Sequence, residues 1–518
     1  MPSTLTLPEF LIGQPRLLDG LCCGIEKESL RVTGDGQLSN RPHPADLGSP
    51  LTHPNITTDF SEAQLELITA VHADPERAIE ELTDVHRYVY ENMGEELLWT
   101  GSMPCILGKD EDIPVGRYGS SNIAMAKTVY RLGLGHRYGR LMQTISGIHY
   151  NFSLPEIFWV PFAESRGAKP GQNFQTESYF GLIRNFRRTS WLLIYLFGAS
   201  PAICKSFVKD QPHRLDVFDE GSLYLPYGTS LRMGNLGYQS DAQSSLHISY
   251  NSLEEYAASM REALTTSYPD YEAIGVKVDG EYRQLNTALL QIENEFYGTI
   301  RPKRPIKRGE RPLTALTSRG VEYVEVRCLD LNPFLPAGID AVEARFVNLF
   351  LLYCLLLESP PDSREESAIM GENQLAVVER GREPGLELAT LKGSIPMVTW
   401  AKKILEDLQP LAELLDQQAG NDLYSYSLEQ QVAKLNDATL TPSARMLEIM
   451  RSQQIPYFRF TMNQSIAHKG YFDEHPLRDS ALSHYQRLAS DSIERQQEVE
   501  AADTVDFDAF LEDYLALK

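Results

Sequence analysis

Apolar residues recur along the chain in two different periods. Between Pro75 and Leu97 they fall at helical spacing, at Ile79, Leu82 and Val85, behind a proline and with acids in the first turn, so the spacing predicts a helix. Residues 121–142 predict a second, interrupted at Gly133 and Gly135. Four segments, 23–32, 147–154, 289–297 and 321–331, are short, rich in branched or aromatic residues and bounded by turn residues, and these predict strands. Strands and helices do not alternate regularly, which disfavours a doubly wound parallel sheet and favours an α+β fold with a mostly antiparallel sheet and helices packed on it. From about Ala368 the character changes. Residues 396–415, 427–435, 443–453 and 480–514 predict charged, Gln-rich helices, dividing the chain into a main body, 1–367, and a helical region, 368–518, packed on it. Residues 164–175 and 360–366 are expected to be exposed connections.

Alternation also sorts the polar residues, because side chains two apart on a strand share a face. Glu26 and Glu28 line up; so do His149, Asn151 and Ser153; so do Glu293, Glu295 and Tyr297; so do Glu325 and Arg327. The opposite faces carry Ile148, Tyr150 and Phe152 in one segment and Val324, Val326 and Cys328 in another. Alternation ordinarily means that one face lies in water. Here the polar faces carry Glu, His, Asn and Arg, the types that bind hard cations and phosphates. Asp59, Glu62 and Glu66 add carboxylates near a further strand candidate in 57–67.

Composition narrows the function. The chain has 518 residues and a formal charge of 48 − 71 = −23. Such acidity argues against a sequence-independent nucleic-acid binder, which needs Lys and Arg on phosphate, but leaves room for a local basic site. The most apolar stretches, 191–204 and 346–357, are shorter than the roughly 20 residues that span a bilayer. The first residues lack the pattern of a signal peptide, so a cytoplasmic protein without membrane partners is expected. The six cysteines show no CxxC or metal-finger spacing and are expected to be reduced. No Walker A loop, GxGxxG, HExxH or GxSxG is present. A nucleotide would therefore need a cradle of metal and arginine, to which Arg301, Lys303 and Arg304 in Ile-Arg-Pro-Lys-Arg can contribute.

Several longer segments carry a resemblance. They include Gly24-Ile-Glu-Lys-Glu-Ser-Leu-Arg31, Leu51-Thr-His53, Ile56-Thr-Thr-Asp-Phe-Ser-Glu62 and Leu141-Met-Gln-Thr-Ile-Ser-Gly-Ile-His-Tyr-Asn-Phe-Ser-Leu154. Thr229-Ser-Leu-Arg232, Gln291-Ile-Glu-Asn-Glu295, Ile300-Arg-Pro-Lys-Arg304 and Val321-Glu-Tyr-Val-Glu-Val-Arg327 follow in order. With these the chain resembles the bacterial type 1 glutamate–cysteine ligases, from about Leu21 to Phe350 and more loosely beyond, where Glu500-Ala-Ala-Asp-Thr504 also matches.

The resemblance implies a glutamine synthetase-like fold, an antiparallel sheet curved into a funnel around the site, with 1–367 as its catalytic body. It implies ATP-dependent joining of the L-glutamate γ-carboxylate to the L-cysteine amine through γ-glutamyl phosphate, the first step of glutathione synthesis. Mg²⁺, or Mn²⁺ in its place, would be held by Glu26, Glu28, Asp59, Glu66, His149 and Glu325. Arg131, Arg232 and Arg327 would serve the phosphoryl transfer, and Arg301 and Arg304 the nucleotide. Tyr130, Gln143, Tyr238 and Tyr297 would surround the cysteine side chain. Glutathione is expected as a feedback inhibitor, because it contains the dipeptide product. No heptad pattern compels a dimer, so a monomer making only the dipeptide is expected. The alternatives are a glutamate ligase with another acceptor amine, a binding protein on the same fold, and a metal-dependent hydrolase.

Overall fold

Three of the four segments expected to be strands, 23–32, 147–154 and 321–331, assemble into one sheet. A computed structural model of the chain describes residues 5–104, 107–209, 212–236, 242, 246–307 and 309–516. Its main sheet has seven strands: β1 (Cys22–Val32), β2 (Ile56–Thr58), β3 (Gln64–Ile68), β4 (Leu97–Leu98), β5 (Ile148–Ser153), β6 (Ile300–Lys303) and β7 (Tyr323–Leu329). Their spatial order is β6-β7-β5-β1-β3-β2, with β4 on the far end of β1, and every ladder among them is antiparallel. The fold is therefore α+β, as expected. The segment 57–67 is a hairpin of β2 and β3, not a single strand.

One sheet face is apolar and fully covered. Ile25, Leu67, Tyr150, Phe152, Val324 and Val326 belong to the largest core cluster. Helix α1 (Pro75–Asn92) adds Leu82, Val85 and Val89, and helix α2 (Asn122–Tyr138) stands on the other side of the sheet. Helix α3 (Gln172–Thr189) and helix α4 (Ala341–Leu356) complete the cover. Almost every residue of α4 is buried, which explains its all-round hydrophobicity. Each large side chain so buried contributes about 1.5–3 kcal/mol relative to leaving it exposed.

Local chemistry sets the ends of these helices. The Asp74 carboxylate accepts from the Glu76 N–H at 3.0 Å, and Pro75 opens α1 without losing a needed donor. The helix stops at Asn92, short of the expected Leu97, because Gly94 turns the chain at φ +65° into β4. Helix α2 runs unbroken through Gly133 and Gly135. A side chain at Gly133 would overlap the Gln291 amide, so this glycine serves close approach and does not break the helix.

Residues 289–297 do not form a strand. Glu293–Glu295 is a single 3-10 turn. Its acids are taken up by other partners instead of lining a ladder: Glu293 Oε2 accepts from Arg311 Nη2 at 2.8 Å and Glu295 Oε2 from the Gln291 N–H at 2.7 Å, while Gln291 Oε1 accepts from the Leu285 N–H at 2.9 Å. The alternation of polar and apolar residues there mimics a strand without one.

The expected boundary at 367/368 falls inside helix α5 (Arg364–Arg380). The core runs across it, since Val377, Leu388, Trp400 and Leu408 join the cluster of Ile25 and Tyr150. Beyond lie α6 (Met397–Ala419), α7 (Leu423–Asn436), α8 (Pro442–Ser452) and α9 (Tyr457–Glu474), the last of which the sequence pattern did not predict. The expected helix 480–514 is two helices, α10 (Asp479–Ala501) and α11 (Phe507–Leu515), with Asp506 capping the second through the Ala509 N–H. The last turn of α10 and the connection after it reach α2. Glu500 Oε1 accepts from the Ser120 N–H at 2.8 Å and Asp503 Oδ2 from the Asn122 N–H at 2.6 Å, so the C-terminal region caps α2. Among the described residues, no helix is long and apolar enough to cross a membrane.

Candidate active site

Strand register builds the site. Glu26 lies opposite His149, Glu28 opposite Glu66, and Glu325 between Asn151 and Arg301 on its two neighbours. Carboxylates from three strands and an imidazole from a fourth thus meet on the sheet face turned away from the main core. A register irregularity between Val326 and Leu329 interrupts the β7 pairing beside Arg327.

Glu26, His149 and Glu325 offer ligand atoms that all lie within 4.8 Å of one another. His149 stands between two acids: Nδ1 is 3.4 Å from Glu26 Oε2 and Nε2 is 3.6 Å from Glu28 Oε1. Glu28 Oε2 also accepts from the Gly147 N–H at 2.8 Å, and Glu26 Oε1 from Asn151 Nδ2 at 2.9 Å. Glu325 is ringed by cations, with Lys303 Nζ at 3.0 Å, Arg327 Nη1 at 3.1 Å and Arg301 Nη1 at 3.9 Å.

The charges perturb one another in opposite directions. Burial alone would raise the Glu325 acid, but Lys303, Arg327, His149 and Arg301 outweigh it and hold the carboxyl well below the usual range. Glu66 has no such company. Burial, then repulsion from Glu26, Asp59 and Glu28, pushes it well above the usual carboxylate range. Glu28 is also raised, by burial and by Asp59. A group of acids held apart in this way is what a divalent cation would relieve. The donor set of carboxylate oxygens with one imidazole fits Mg²⁺ and, for the nitrogen, Mn²⁺.

A pocket of about 110 Å³ opens beside these groups. Glu28, Asp59, His149, Arg131, Arg232 and Arg327 line it. Tyr130, Gln143, Tyr297 and Arg301 complete the expected residues in its wall. Gln143 is 2% exposed, and neither side-chain amide atom has a hydrogen-bond partner among the described residues. Buried polar groups are nearly always paired, so an unpaired amide in a pocket wall is suited to a polar ligand. Burial, then Glu295, raises the Tyr130 phenol, which keeps it protonated.

The structure does not bring every expected residue here. Arg304 turns outward, pairing with Glu322 at 3.3 Å, and is not in the pocket wall. Arg131 lines the pocket but spends its donors on backbone, on Asp59 O, on Lys127 O at 2.9 Å and on Thr58 O at 3.4 Å. Tyr238, together with Cys105, lies outside the described residues.

Other site residues escaped the sequence. Glu295 lines the pocket and is held by Arg137 at 3.1 Å and the Tyr138 hydroxyl at 2.6 Å. Local pattern places it on a strand that does not form, and Arg137 and Tyr138 are over 150 residues away in the chain. Asp330 lies behind Arg232, at 3.8 Å, and had no alternation to mark it. Lys303 stands out in the sequence only as part of a basic run, whereas it is a direct partner of Glu325.

A sheet that gathers acids, an imidazole and arginines around a small pocket has the donor set of an enzyme site suited to a hard cation and a phosphate group. Comparison with known proteins identifies which one. Residues 11–377 match the family model for glutamate–cysteine ligase. The glutamate–cysteine ligase of Pseudomonas putida is 51% identical over 494 residues, covering 95% of this chain and 94% of its own. That of Alcanivorax borkumensis is 51% identical over 503 residues, covering 96% of each. The crystal structure of glutamate–cysteine ligase from Francisella tularensis in complex with AMP superposes with a TM-score of 0.90 at 38% identity, covering 96% of this chain and 97% of that one. A bifunctional glutathione synthetase from Pasteurella multocida gives 0.72 at 25% identity, with 92% of this chain matched to 57% of the larger one. The chain belongs to the glutamate–cysteine ligase family.

Proposed function

We propose that this protein joins the γ-carboxylate of L-glutamate to the amine of L-cysteine, with ATP converted to ADP and phosphate. The carrying observation is the cluster of Glu26, His149 and Glu325 beside a pocket walled by Arg232, Arg301 and Arg327, in a chain of this family. A carboxylate is a poor acyl donor, so ATP first transfers its γ-phosphoryl group to the γ-carboxylate oxygen, releasing ADP. The cysteine nitrogen then attacks the acyl carbon, phosphate leaves, and γ-glutamylcysteine forms.

Two like-charged reactants must approach each other in the first half. Glu26, Glu28, Asp59, Glu66, His149 and Glu325 would hold Mg²⁺, or Mn²⁺, which when bound screens the repulsion between triphosphate and carboxylate. The planar guanidinium forks of Arg232 and Arg327 suit the phosphoryl oxygens and the glutamate carboxylates, with Arg131 at the edge beside Asp59. Arg301 and Lys303 neutralise Glu325 and can exchange it for a phosphate tail; Arg304 would act only if its pair with Glu322 opened. Tyr130, Gln143 and Tyr297 form a wall with aromatic faces and one free amide, suited to a small thiol-bearing amino acid. Residues 368–518 support this catalytic body, in part by capping α2, which carries Tyr130 and Arg131. Monomeric action in the cytoplasm and inhibition by glutathione belong to the same proposal.

The test is ADP release by purified protein with Mg-ATP, L-glutamate and L-cysteine, each omitted in turn, with the product identified by mass. Turnover that needs all components and stops with EDTA is the expected result. ADP release with 2-aminobutyrate but not with cysteine would move the acceptor to another amine. No ADP release from folded protein would overturn the proposal.

A further inference from the structure

Arg232 sits in a tight seat. It belongs to the 3-10 turn Leu231–Met233, is 7% exposed, and lines the pocket. Its Nη2 donates to the Arg327 carbonyl at 2.8 Å, which ties it to the backbone of the strand beside the metal-binding acids. Its Nη1 lies 3.8 Å from Asp330 Oδ1. The guanidinium lies flat against the backbone at Gly147: a methyl group built there would overlap its carbon and nitrogens. Gly147 needs no unusual backbone angle, so conformation does not require glycine at this position. Space for the guanidinium does.

Asp330 is itself immobile. It is 1% exposed, its Oδ1 accepts from Ser230 Oγ at 3.0 Å, and its Oδ2 accepts from Ser200 Oγ at 2.6 Å and the Ala199 N–H at 2.8 Å. Three donors from two other segments therefore fix the charge that Arg232 faces. Gly147 is fixed too, since its N–H donates to Glu28 Oε2 and its carbonyl accepts from the Glu28 N–H at 3.0 Å.

We infer that Gly147 and Asp330 are positioning residues that seat Arg232 in the ligase pocket, one by lacking a side chain and the other as an anchored counter-ion. Neither touches the reacting atoms. The inference rests on the proposed ligase activity only for its kinetic consequence. A misplaced arginine loses its alignment with the transferring group, and a shift of about 1 Å costs about 100-fold.

The experiment is a set of double-mutant cycles. Steady-state kcat and KM for glutamate, cysteine and ATP are measured for Gly147→Ala, Asp330→Asn, Arg232→Ala and the two doubles containing Arg232→Ala, with folded fractions set by thermal melts. The expected losses in kcat/KM are about 100-fold for Gly147→Ala and about tenfold for Asp330→Asn, and both losses vanish in the Arg232→Ala background. Equal losses with and without Arg232 would show a general structural role and overturn the inference. A crystal structure of Gly147→Ala decides it without activity: the guanidinium leaves the Arg327 carbonyl if the inference holds and stays in hydrogen-bond reach if it does not. Should the protein prove inactive with glutamate and cysteine, the functional proposal falls while this structural outcome still decides the seat. Asp330→Asn, nearly isosteric, carries both measurements if Gly147→Ala fails to fold.

Discussion

The two faces of the central sheet are built in opposite ways, one sealed in the core and the other opening on a pocket. On one, Ile25, Leu67, Tyr150, Phe152 and Val324 meet α1, α3 and α4 in a dry, complementary core. On the other, Glu26, Glu28, Glu66, His149, Glu325 and Arg327 are crowded together around a pocket. The same strands supply both sets. The apolar face gains free energy from burial itself. The charged face loses it, because desolvating an ion costs several kcal/mol and like charges repel. One face stabilises the protein, and the other carries the crowded charges on which the proposed activity rests. The division is not perfect. Lys27 lies on the apolar face, where burial pushes its ammonium down to about 7. It donates to His86 Nε2 at 2.7 Å, while His86 Nδ1 donates to the Leu82 carbonyl.

Substitutions on the two faces should therefore separate activity from stability. The largest effect is expected for Glu325→Gln, which removes the shared partner of Lys303, Arg301 and Arg327; kcat/KM falls by about 1,000-fold or more. Rates within tenfold of the parent would remove Glu325 from the site. Next is Phe350→Ala in α4, a fully buried core position, which is expected to cost about 3–5 kcal/mol in denaturant unfolding. Its activity per folded molecule stays near the parent value; a large loss would show that the two faces are coupled.

Glu66→Gln sharpens the contrast. The folded-state pKa of Glu66 is raised, so the unfolded chain gives up this proton more readily. Its contribution to stability is lost as the pH rises from the ordinary carboxylate range through the raised folded value. Without metal at pH 8, the glutamine variant is expected to melt higher than the parent while turning over more slowly. A lower melting temperature would show that the crowded acids are not a burden on the fold.

The smallest effect concerns a histidine outside the pocket. His53 Nδ1 accepts from the N–H groups of both Asn55 and Ile56 at 3.0 Å, holding the entry to β2. Burial pushes its pKa from 6.5 down to about 4, and that of half-buried His43 to about 3. The unfolded chain then binds more protons between these values and 6.5, so stability falls as the pH drops through that window. Replacing His53 with Ala is expected to cost about 1–3 kcal/mol at neutral pH and to flatten part of the acid limb in pH-dependent melts. An unchanged acid limb would exclude His53 as a contributor.

By itself the sequence determined which face of each true strand would be polar, because a period of two leaves a side chain no other choice. It therefore exposed Glu26, Glu28, His149, Glu325 and Arg327 as a set, and the family motifs extended that set to Arg131, Arg232, Gln143 and the tyrosines. Local pattern misled at 289–297, where buried acids paired with Arg311 and Arg137 imitate a strand, and at 480–514, where a break after α10 brings Asp503, beside Glu500 of that helix, to the start of α2. Only the tertiary structure decided what stands behind the reactive groups: Asp330 and Gly147 against Arg232, Lys303 against Glu325, and Arg137 with Tyr138 against Glu295. It also turned Arg304 away from the pocket toward Glu322. These partners come from segments far apart in the chain and share no local period. Their meeting is fixed by strand order and helix packing, which a one-dimensional pattern does not contain.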